Sequence, residues 1–249
     1  MPELPEIETV KLQLQKVLVG QKLLSVSDEK YKSLKYKSVK EIRREGKVFL
    51  INFGPNLDLG FHFKMTGQLV YGGLPTKHTR AIFEFTKGTL YFNDMRKFGW
   101  VKINPEFTKT LGEDALDIST HKFLKLLKEL RKPIKIAIMD QKIIAGVGNI
   151  YANDALWESA VNPRTPVNQL SINQLTNLLK KIKLVLREGI KYGGTSLSDY
   201  VDAFGKNGSY QDHIRVYKKH GEKCKRCKSI IKRIVLGGRG TYYCPKCQI

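Results

Sequence analysis

The N-terminal segment carries a hydrophobic pattern of helical period. From Glu6 to Val19, apolar residues recur at every third or fourth position, so they share one face of an α-helix. The members of this face are Ile7, Val10, Leu14, Val17 and Leu18. Pro5 suits the first turn of such a helix, and Gly20 follows its end. The pattern predicts a long amphipathic helix at the start of the chain.

After this helix the period of the pattern changes to two, which is typical of half-buried β-strands. Turn signals such as GPN and TKG separate the alternating segments. The segments span residues 39–45, 47–53, 57–63, 80–86, 89–94 and 99–105. Successive short strands joined by tight turns predict an antiparallel sandwich or barrel.

From about Gly112 the pattern becomes helical, over residues 121–131, 134–139, 150–159 and 171–191. An all-β domain is therefore followed by an all-α domain, and the C-terminal segment forms a third unit that is basic and contains the cysteines. We predict a multidomain α and β protein with domains at residues 1–112, 113–220 and 221–249.

The composition indicates a polyanionic partner. The chain has 44 Lys and Arg residues against 23 Asp and Glu, which leaves a formal net charge of +21, far more than solubility requires. Nucleic acid is the partner that this excess favours, ahead of an acidic membrane surface; a lysine-rich proteome is the alternative explanation. No apolar run approaches membrane-spanning length and no signal-peptide pattern opens the chain, so we expect a cytosolic protein.

All four cysteines lie near the C-terminus as two CxxC pairs, with 16 residues between the pairs. The pairs are Cys224 with Cys227 and Cys244 with Cys247. Four thiolates at this spacing predict one structural Zn²⁺ in a zinc ribbon, and two disulfides or four unrelated thiols are the alternative. Seven Lys and Arg residues and no acidic residue lie between the outer cysteines, which suits contact with phosphates.

A glycine turn precedes the predicted helix at residues 150–159. Gly146, Gly148 and Asn149 leave backbone N–H groups at a helix N-terminus, a site that suits an anion. A tight turn capped by Asn149 is the alternative.

Several motifs together resemble the family of bacterial formamidopyrimidine-DNA glycosylases and endonuclease VIII-like enzymes. They occur in family order across residues 1–249 and are MPELPEIETV, HFKMTG, the KH pair at 77–78, NDMRKFG, LGEDALD, AGVGNIYAND, YGGTSLSDY and the terminal cysteine pairs. The resemblance implies an N-terminal β-sandwich with a long N-terminal helix, then a helical domain with a helix-two-turn-helix and a C-terminal zinc ribbon. It also implies that damaged double-stranded DNA binds between the domains.

The resemblance gives the opening residues a catalytic role. Removal of Met1 makes the nitrogen of Pro2 a secondary amine, which attacks C1′ of the damaged nucleotide and expels the base as a Schiff base forms. The resulting cation allows β- and then δ-elimination of the phosphates. Glu3 acts as general acid on the deoxyribose ring oxygen, and Glu6 supplies positioning and electrostatics. The alternative for these carboxylates, which we retain for Glu8, is charge complementarity with a helix N-terminus.

Other residues match family positions that contact DNA or fill the space of the extruded base. Lys47 matches a catalytic or phosphate-anchoring lysine, and Arg239 matches the arginine that grips the phosphate at the lesion and assists δ-elimination. The matches to DNA contacts are His78, Arg96, Asn149 and, more loosely, Arg131. The matches to wedge residues, which stabilise a kinked duplex, are Met65, Arg96 and Phe98. Core packing is the alternative for Met65 and Phe98.

The resemblance implies a bifunctional glycosylase and AP lyase that is a monomer, is associated with the nucleoid and needs neither a membrane nor a nucleotide cofactor. The MPELPE start favours oxidised purines over oxidised pyrimidines, as does the FGKNGSYQ segment (204–211), which could close over a flipped purine. Two alternatives remain: an endonuclease VIII-like enzyme for oxidised pyrimidines, and a non-catalytic DNA-binding sensor. Intact Pro2, Glu3 and Lys47 argue against the sensor.

Overall fold

A computed structural model describes residues 1–249. The chain forms two compact units. The first unit consists of Met1–Lys109 and Gly189–Gln211, and the second of Thr110–Glu188 and Asp212–Ile249. A return segment from the C-terminal half thus completes the N-terminal unit, while the three domain boundaries drawn from the sequence stay a prediction.

The first unit is a β-sandwich with one long helix. Helix α1 spans Leu4–Leu18, and the strands are β1 (Leu23–Val26), β2 (Glu41–Glu45), β3 (Val48–Asn52), β4 (Asp58–His62), β5 (Gly67–Tyr71), β6 (Thr79–Phe85), β7 (Gly88–Asp94) and β8 (Trp100–Ile103). They form two antiparallel sheets in the orders β1-β6-β7-β5 and β2-β3-β4-β8.

Aromatic side chains join the two sheets in one core. The ring of Phe61 on β4 lies 5.6 Å from that of Phe83 on β6 and 5.8 Å from that of Phe92 on β7, distances typical of favourable aromatic pairs. The apolar face of α1 belongs to the same core, with Ile7 and Val10 fully buried. The alternation of the strands therefore places one face of each sheet against the other, as the sequence pattern predicts.

The second unit contains the helices α2 (Thr120–Leu127), α3 (Ile134–Met139), α4 (Asn149–Glu158) and most of α5 (Ile172–Lys191), whose last turn belongs to the first unit. The short strands β9 (Glu113–Asp114) and β10 (Ile144–Ala145) pair in parallel, and β11 (Lys232–Leu236) and β12 (Arg239–Tyr243) form a C-terminal hairpin. Helix α4 packs against α3 and β12. None of the helices combines the length and apolarity needed to cross a membrane.

Candidate functional site

The start of α1 holds Pro2, Glu3 and Glu6 in buried positions. Both oxygens of the Glu6 carboxylate are engaged: Oε2 accepts the backbone N–H of Glu3 at 2.7 Å, and Oε1 accepts that of Thr195 at 2.8 Å. The hydroxyl of Tyr200 donates to the Glu6 carbonyl at 3.3 Å. Glu6 therefore fixes the backbone beside Pro2 and anchors the Gly189–Gln211 segment to the helix start.

Close approach of that segment requires glycine at position 194. Gly194 has φ of +87°, and a Cβ added there would lie 2.9 Å from Cγ of Glu6. Any larger residue would be strained and would displace the Glu6 side chain. The GG of YGGTSLSDY thus has a structural reason that is independent of direct contact with a ligand.

Glu8, one turn further along α1, forms ion pairs instead. Its carboxylate accepts from Arg44 Nε at 2.6 Å and from Lys11 Nζ at 2.9 Å. Burial raises the pKa of Glu8, but the hydrogen bonds and charges of Arg44 and Lys11 outweigh it and hold that pKa below its ordinary value. Glu8 therefore links α1 to β2 as a carboxylate.

Lys47 lies in the two-residue turn between β2 and β3, after Gly46 with φ of +57°. It is buried, and β2 and β3 are the strands against which α1 packs. Its charge also acts on His62 at the end of β4: desolvation, with smaller effects of the Lys64 and Lys47 charges, lowers the pKa of His62 to about 3. The backbone N–H of Lys64 donates to Nδ1 of His62 at 3.0 Å, so this imidazole is neutral.

Three surface loops meet at the buried carboxylate of Asp94. Its Oδ1 accepts the hydroxyl of Thr66 at 2.5 Å, and its Oδ2 accepts the backbone N–H of Gly99 at 2.7 Å. The Asp94 N–H donates to the carbonyl of His78 at 2.9 Å. Asp94 thereby holds in register the loop with Met65, the loop with Arg96 and Phe98, and the loop with His78.

The three side chains matched to wedge residues lie on the surface of this loop cluster. Met65 is 41% exposed and Phe98 is 57% exposed, so neither forms part of the core. The guanidinium of Arg96 lies 5.0 Å from the centroid of the Phe98 ring, a stacked cation–π arrangement. An apolar pair and a cation thus lie exposed on loops that hydrogen bonds tie to Asp94.

In the second unit, Asn149 opens α4 beside a buried lysine. Nζ of Lys135, on α3, donates to Oδ1 of Asn149 at 2.7 Å, to the hydroxyl of Thr241 at 2.6 Å and to the carbonyl of Gly240 at 3.2 Å. Asn149 Nδ2 also donates to the Gly240 carbonyl, at 3.1 Å. These bonds connect the start of α4 to β12 immediately beside Arg239.

Arg239 itself is exposed at the tip of the β11–β12 hairpin. Gly237 and Gly238 form the turn, both with positive φ, as a two-residue hairpin of this kind requires. Arg131 is also exposed, in the loop between α2 and α3. The structure thus groups Asn149 and Arg239 on one bonded framework.

The four cysteines form a compact cluster that suits one metal ion. Their Sγ atoms all lie within 4.8 Å of one another, with 3.9 Å between Cys224 and Cys247 and 3.3 Å between Cys227 and Cys244. A tetrahedral Zn²⁺ site with Zn–S bonds of about 2.3 Å requires Sγ separations of roughly 3.8 Å. Hydrogen bonds from Ser229 lower the pKa of Cys227 to about 6, whereas burial and the neighbouring thiols raise the pKa of Cys247 to about 12. This donor set matches a closed structural zinc site.

Helix α4 anchors the cysteine cluster through Trp157 and Asp154. The Trp157 indole N–H donates to Sγ of Cys224 at 3.4 Å, and the guanidinium of Arg226 stacks 3.7 Å from its ring centroid. The fully buried carboxylate of Asp154 accepts the backbone N–H groups of residues 215–217, at 3.1 to 3.4 Å. These contacts attach the cysteine-bearing segment to the helical core.

The segment that follows Tyr200 forms an ordered turn tied to α1, which we call the Asp202 turn (residues 202–206). Oδ1 of Asp202 accepts the N–H groups of Phe204 and Lys206, at 2.9 and 2.8 Å. Oδ2 accepts from Gln13 Nε2 at 2.7 Å, and Gln13 Oε1 accepts the N–H of Ala203 at 2.9 Å. The turn leaves Phe204 exposed to solvent.

Asp94 and Asp154 lie within the motifs NDMRKFG and AGVGNIYAND but have no role assigned from the sequence, and Lys135 and Asp202 lie outside the quoted motifs. Lys135 and Asp154 do share one hint, a charged residue within an apolar helical stretch. Such a residue is seldom buried unless it is paired.

Family models match almost the whole chain. The formamidopyrimidine-DNA glycosylase N-terminal domain matches residues 1–101, the H2TH domain of the same glycosylase matches 111–201, and a zinc finger found in FPG and IleRS matches 221–249. Among curated relatives, the formamidopyrimidine-DNA glycosylase of Carboxydothermus hydrogenoformans is 39% identical and that of Ligilactobacillus salivarius is 38% identical, with coverage of 99% or more of each chain.

Solved structures give the same grouping. The Lactococcus lactis Fpg in complex with DNA that contains an abasic site superposes with a TM-score of 0.91 at 33% identity, over 99% of both chains. The MutM (Fpg) protein from Thermus thermophilus superposes with a TM-score of 0.91 at 33% identity, over 99% of this chain and 98% of that one.

Proposed function

Because the chain belongs to the formamidopyrimidine-DNA glycosylase family of base-excision-repair glycosylases, we propose that it removes oxidised purines from duplex DNA and then cleaves the strand. The substrates are 8-oxoguanine and formamidopyrimidines, and strand cleavage is an AP lyase reaction by β- and δ-elimination. The observation that carries the proposal is the buried start of α1, where Glu6 fixes the backbone next to Pro2 and Glu3.

Pro2 is the proposed nucleophile. With Met1 attached its nitrogen is an amide without a basic lone pair, so the reaction requires removal of Met1. The free secondary amine bonds to C1′ as the bond from C1′ to the damaged base breaks, and a cationic iminium results. This cation acidifies the C2′ hydrogen and so promotes loss of the 3′ phosphate and then the 5′ phosphate.

Glu3 and Glu6 divide the carboxylate chemistry. Both oxygens of Glu6 already accept backbone N–H groups, so Glu6 holds the nucleophile and the Gly189–Gln211 segment in position. Glu3, whose carboxylate accepts the backbone N–H of Glu6 in the capping box of α1, is the proposed general acid that protonates the deoxyribose ring oxygen as the ring opens. The same hydrogen bonds restrict the conformations of the chain terminus, which reduces the entropy cost of aligning the amine with C1′.

Contacts with DNA are proposed for His78 in the first unit and for Asn149 and Arg131 in the second, and a catalytic or phosphate-anchoring role is proposed for Lys47. The burial of Lys47 and the framework of Lys135, Asn149 and β12 support this assignment. Arg239 grips the phosphate at the lesion and assists δ-elimination. Met65, Arg96 and Phe98 fill the gap left by the flipped nucleotide, which offsets the unstacking cost of a few kcal/mol.

Excision assays test the substrate class. The Met-processed protein is given one duplex with 8-oxoguanine opposite cytosine and a second duplex with thymine glycol, and base release and strand cleavage are measured. We expect excision of 8-oxoguanine to be faster than that of thymine glycol, and we expect Glu3→Gln to slow it by about 100-fold or more. The matched control is Glu29→Gln, a change at an exposed carboxylate, which should leave the rate unchanged. Preference for thymine glycol would instead support a pyrimidine enzyme, and binding without excision of either base would support a sensor.

A further inference from the structure

An apolar groove in the second unit has no part in the proposed reaction. It lies between α2 and the start of α5 and encloses about 480 Å³, a volume in the range of sites that bury ligands. Its apolar lining comes from Leu124, Val167, Leu170, Ile172 and Leu175. We refer to it as the α2–α5 groove.

Helix capping explains only part of this apolar surface. Ser171 precedes α5, its Oγ accepts the N–H of Gln174 at 3.2 Å, and its own N–H donates to Gln174 Oε1 at 2.9 Å. In such a capping box, residues at the positions of Leu170 and Leu175 pack together as a hydrophobic staple. Ile172 has no role in that arrangement and is 70% exposed. Ile172 therefore extends the apolar lining of the groove to its exposed edge, and a concave, mostly apolar lining is typical of a binding site.

One rim of the groove is basic. His121, Lys125 and Lys128 follow one another at intervals of four and three residues along α2, so they share a helix face, and all three are exposed. No acidic residue lines the groove. Nζ of Lys128 lies 3.7 Å from Oε1 of Glu129, but both side chains are largely exposed. This ion pair therefore offsets little of the positive charge of the rim. The groove therefore combines an aliphatic floor with an unbalanced positive edge.

This combination favours an acidic peptide over nucleic acid. Single strands bind through aromatic stacking platforms and duplexes through phosphate contacts, and the lining of the groove contains no Phe, Tyr or Trp residue. An aliphatic floor would be buried by apolar anchors of a peptide, and the lysines would attract its carboxylates. A membrane surface would require a longer apolar face than α2 offers.

We propose that the α2–α5 groove docks an acidic segment of a partner protein, anchored by two or three apolar side chains. Helix α2 has 8 residues, about 12 Å of length. The bound part of the segment is therefore about two turns of helix or four extended residues. This docking does not depend on the proposed base-excision activity.

Peptide display on the full-length, zinc-loaded chain tests the proposal. Random peptides are selected against the chain, and the affinity of the enriched peptides is measured by fluorescence anisotropy. The groove variant is Lys125→Glu with Ile172→Ser. The matched control is Lys109→Glu with Leu74→Ser, which makes the same chemical changes at exposed positions of the first unit.

We expect enriched peptides with net negative charge and a pair of apolar residues, whose affinity falls by roughly tenfold or more in the groove variant and is unchanged in the control. Lys125→Gln with Lys128→Gln, which leaves the apolar floor intact, should weaken binding as well and covers the case in which the first variant fails to fold. Failure to enrich acidic peptides would overturn the proposal. It would also be overturned if binding were equal in both variants, or if Lys125→Glu weakened duplex DNA binding more than Lys109→Glu.

Discussion

Acidification should destabilise the first unit through His62. This imidazole is 6% exposed, accepts the backbone N–H of Lys64 at Nδ1, and has its ring 5.6 Å from that of Trp100. Protonation would break that hydrogen bond and bury a cation near the charges of Lys64 and Lys47. The folded chain therefore resists protonation of His62, whereas the unfolded chain does not.

The magnitude follows from the two pKa values of His62. Its pKa is about 3 in the folded chain, against an ordinary value of 6.5, so only the unfolded chain binds this proton between those pH values. The stability contributed by neutral His62 is complete above pH 6.5 and is lost as the pH falls toward 3. Each pH unit costs about 1.4 kcal/mol, so acidification from 6.5 to about 4.5 should remove roughly 2 to 3 kcal/mol from the free energy of unfolding.

Urea unfolding followed by tryptophan fluorescence measures this loss, because Trp100 lies beside His62. The comparison is with His62→Asn, in which the amide oxygen can replace Nδ1 as acceptor but cannot titrate. The parent chain should lose roughly 2 to 3 kcal/mol more than this variant between the two pH values. His121→Asn, a change at an exposed histidine, should retain the behaviour of the parent chain. Equal losses in the parent chain and His62→Asn would refute the reasoning.

Three further perturbations test the second unit. Asp154→Ala removes the acceptor of three backbone N–H groups and should lower the free energy of unfolding, measured in urea, by about 2 to 4 kcal/mol. The exposed Asp117→Ala should leave that free energy unchanged, and an equal effect of both variants would contradict the anchoring role of Asp154. Removal of Zn²⁺ by a chelator should unfold the cysteine-bearing hairpin, seen as loss of hydrogen-exchange protection in β11 and β12; retained protection would contradict a structural role for the metal. Lys135→Met should remove one of the hydrogen bonds that orient the Asn149 side chain, which keeps its bond to the Gly240 carbonyl, and should weaken duplex binding by about 1 kcal/mol in anisotropy titrations. The exposed Lys142→Met, which removes the same charge, should have less effect, and an equal effect of both would contradict orientation of Asn149 as the cause.

Much of the fold follows from local patterns. The helical period at the N-terminus predicts α1, and the alternation in 39–103 predicts six of the strands, each within a few residues of its observed bounds. Two further strands, β1 (Leu23–Val26) and β5 (Gly67–Tyr71), are not among the predicted segments. The return of Gly189–Gln211 to the first unit also has no local signature, since it depends on contacts between distant residues.

The candidate site divides in the same way. The cysteine spacing predicts the Sγ cluster, because metal ligation imposes a fixed pattern on neighbouring residues. By contrast, the bond from Thr195 to Glu6 and that from Gln13 to Asp202 each join residues almost 190 positions apart, so no window of sequence contains both partners. The exposure of Met65 and Phe98 likewise depends on how hydrogen bonds to Asp94 hold their loops. From sequence alone, an apolar side chain that follows a strand is equally compatible with a core position.

Borohydride trapping on a duplex with one 8-oxoguanine opposite cytosine tests the central proposal most directly. The Met-processed protein is compared with a preparation in which Met1 is retained, so that the two differ only in whether the Pro2 nitrogen is an amine or an amide. The proposed mechanism predicts a covalent protein–DNA adduct with the processed protein and none with the blocked one. Equal trapping by both preparations, or excision of the base by the processed protein without any adduct, would contradict the Pro2 Schiff base.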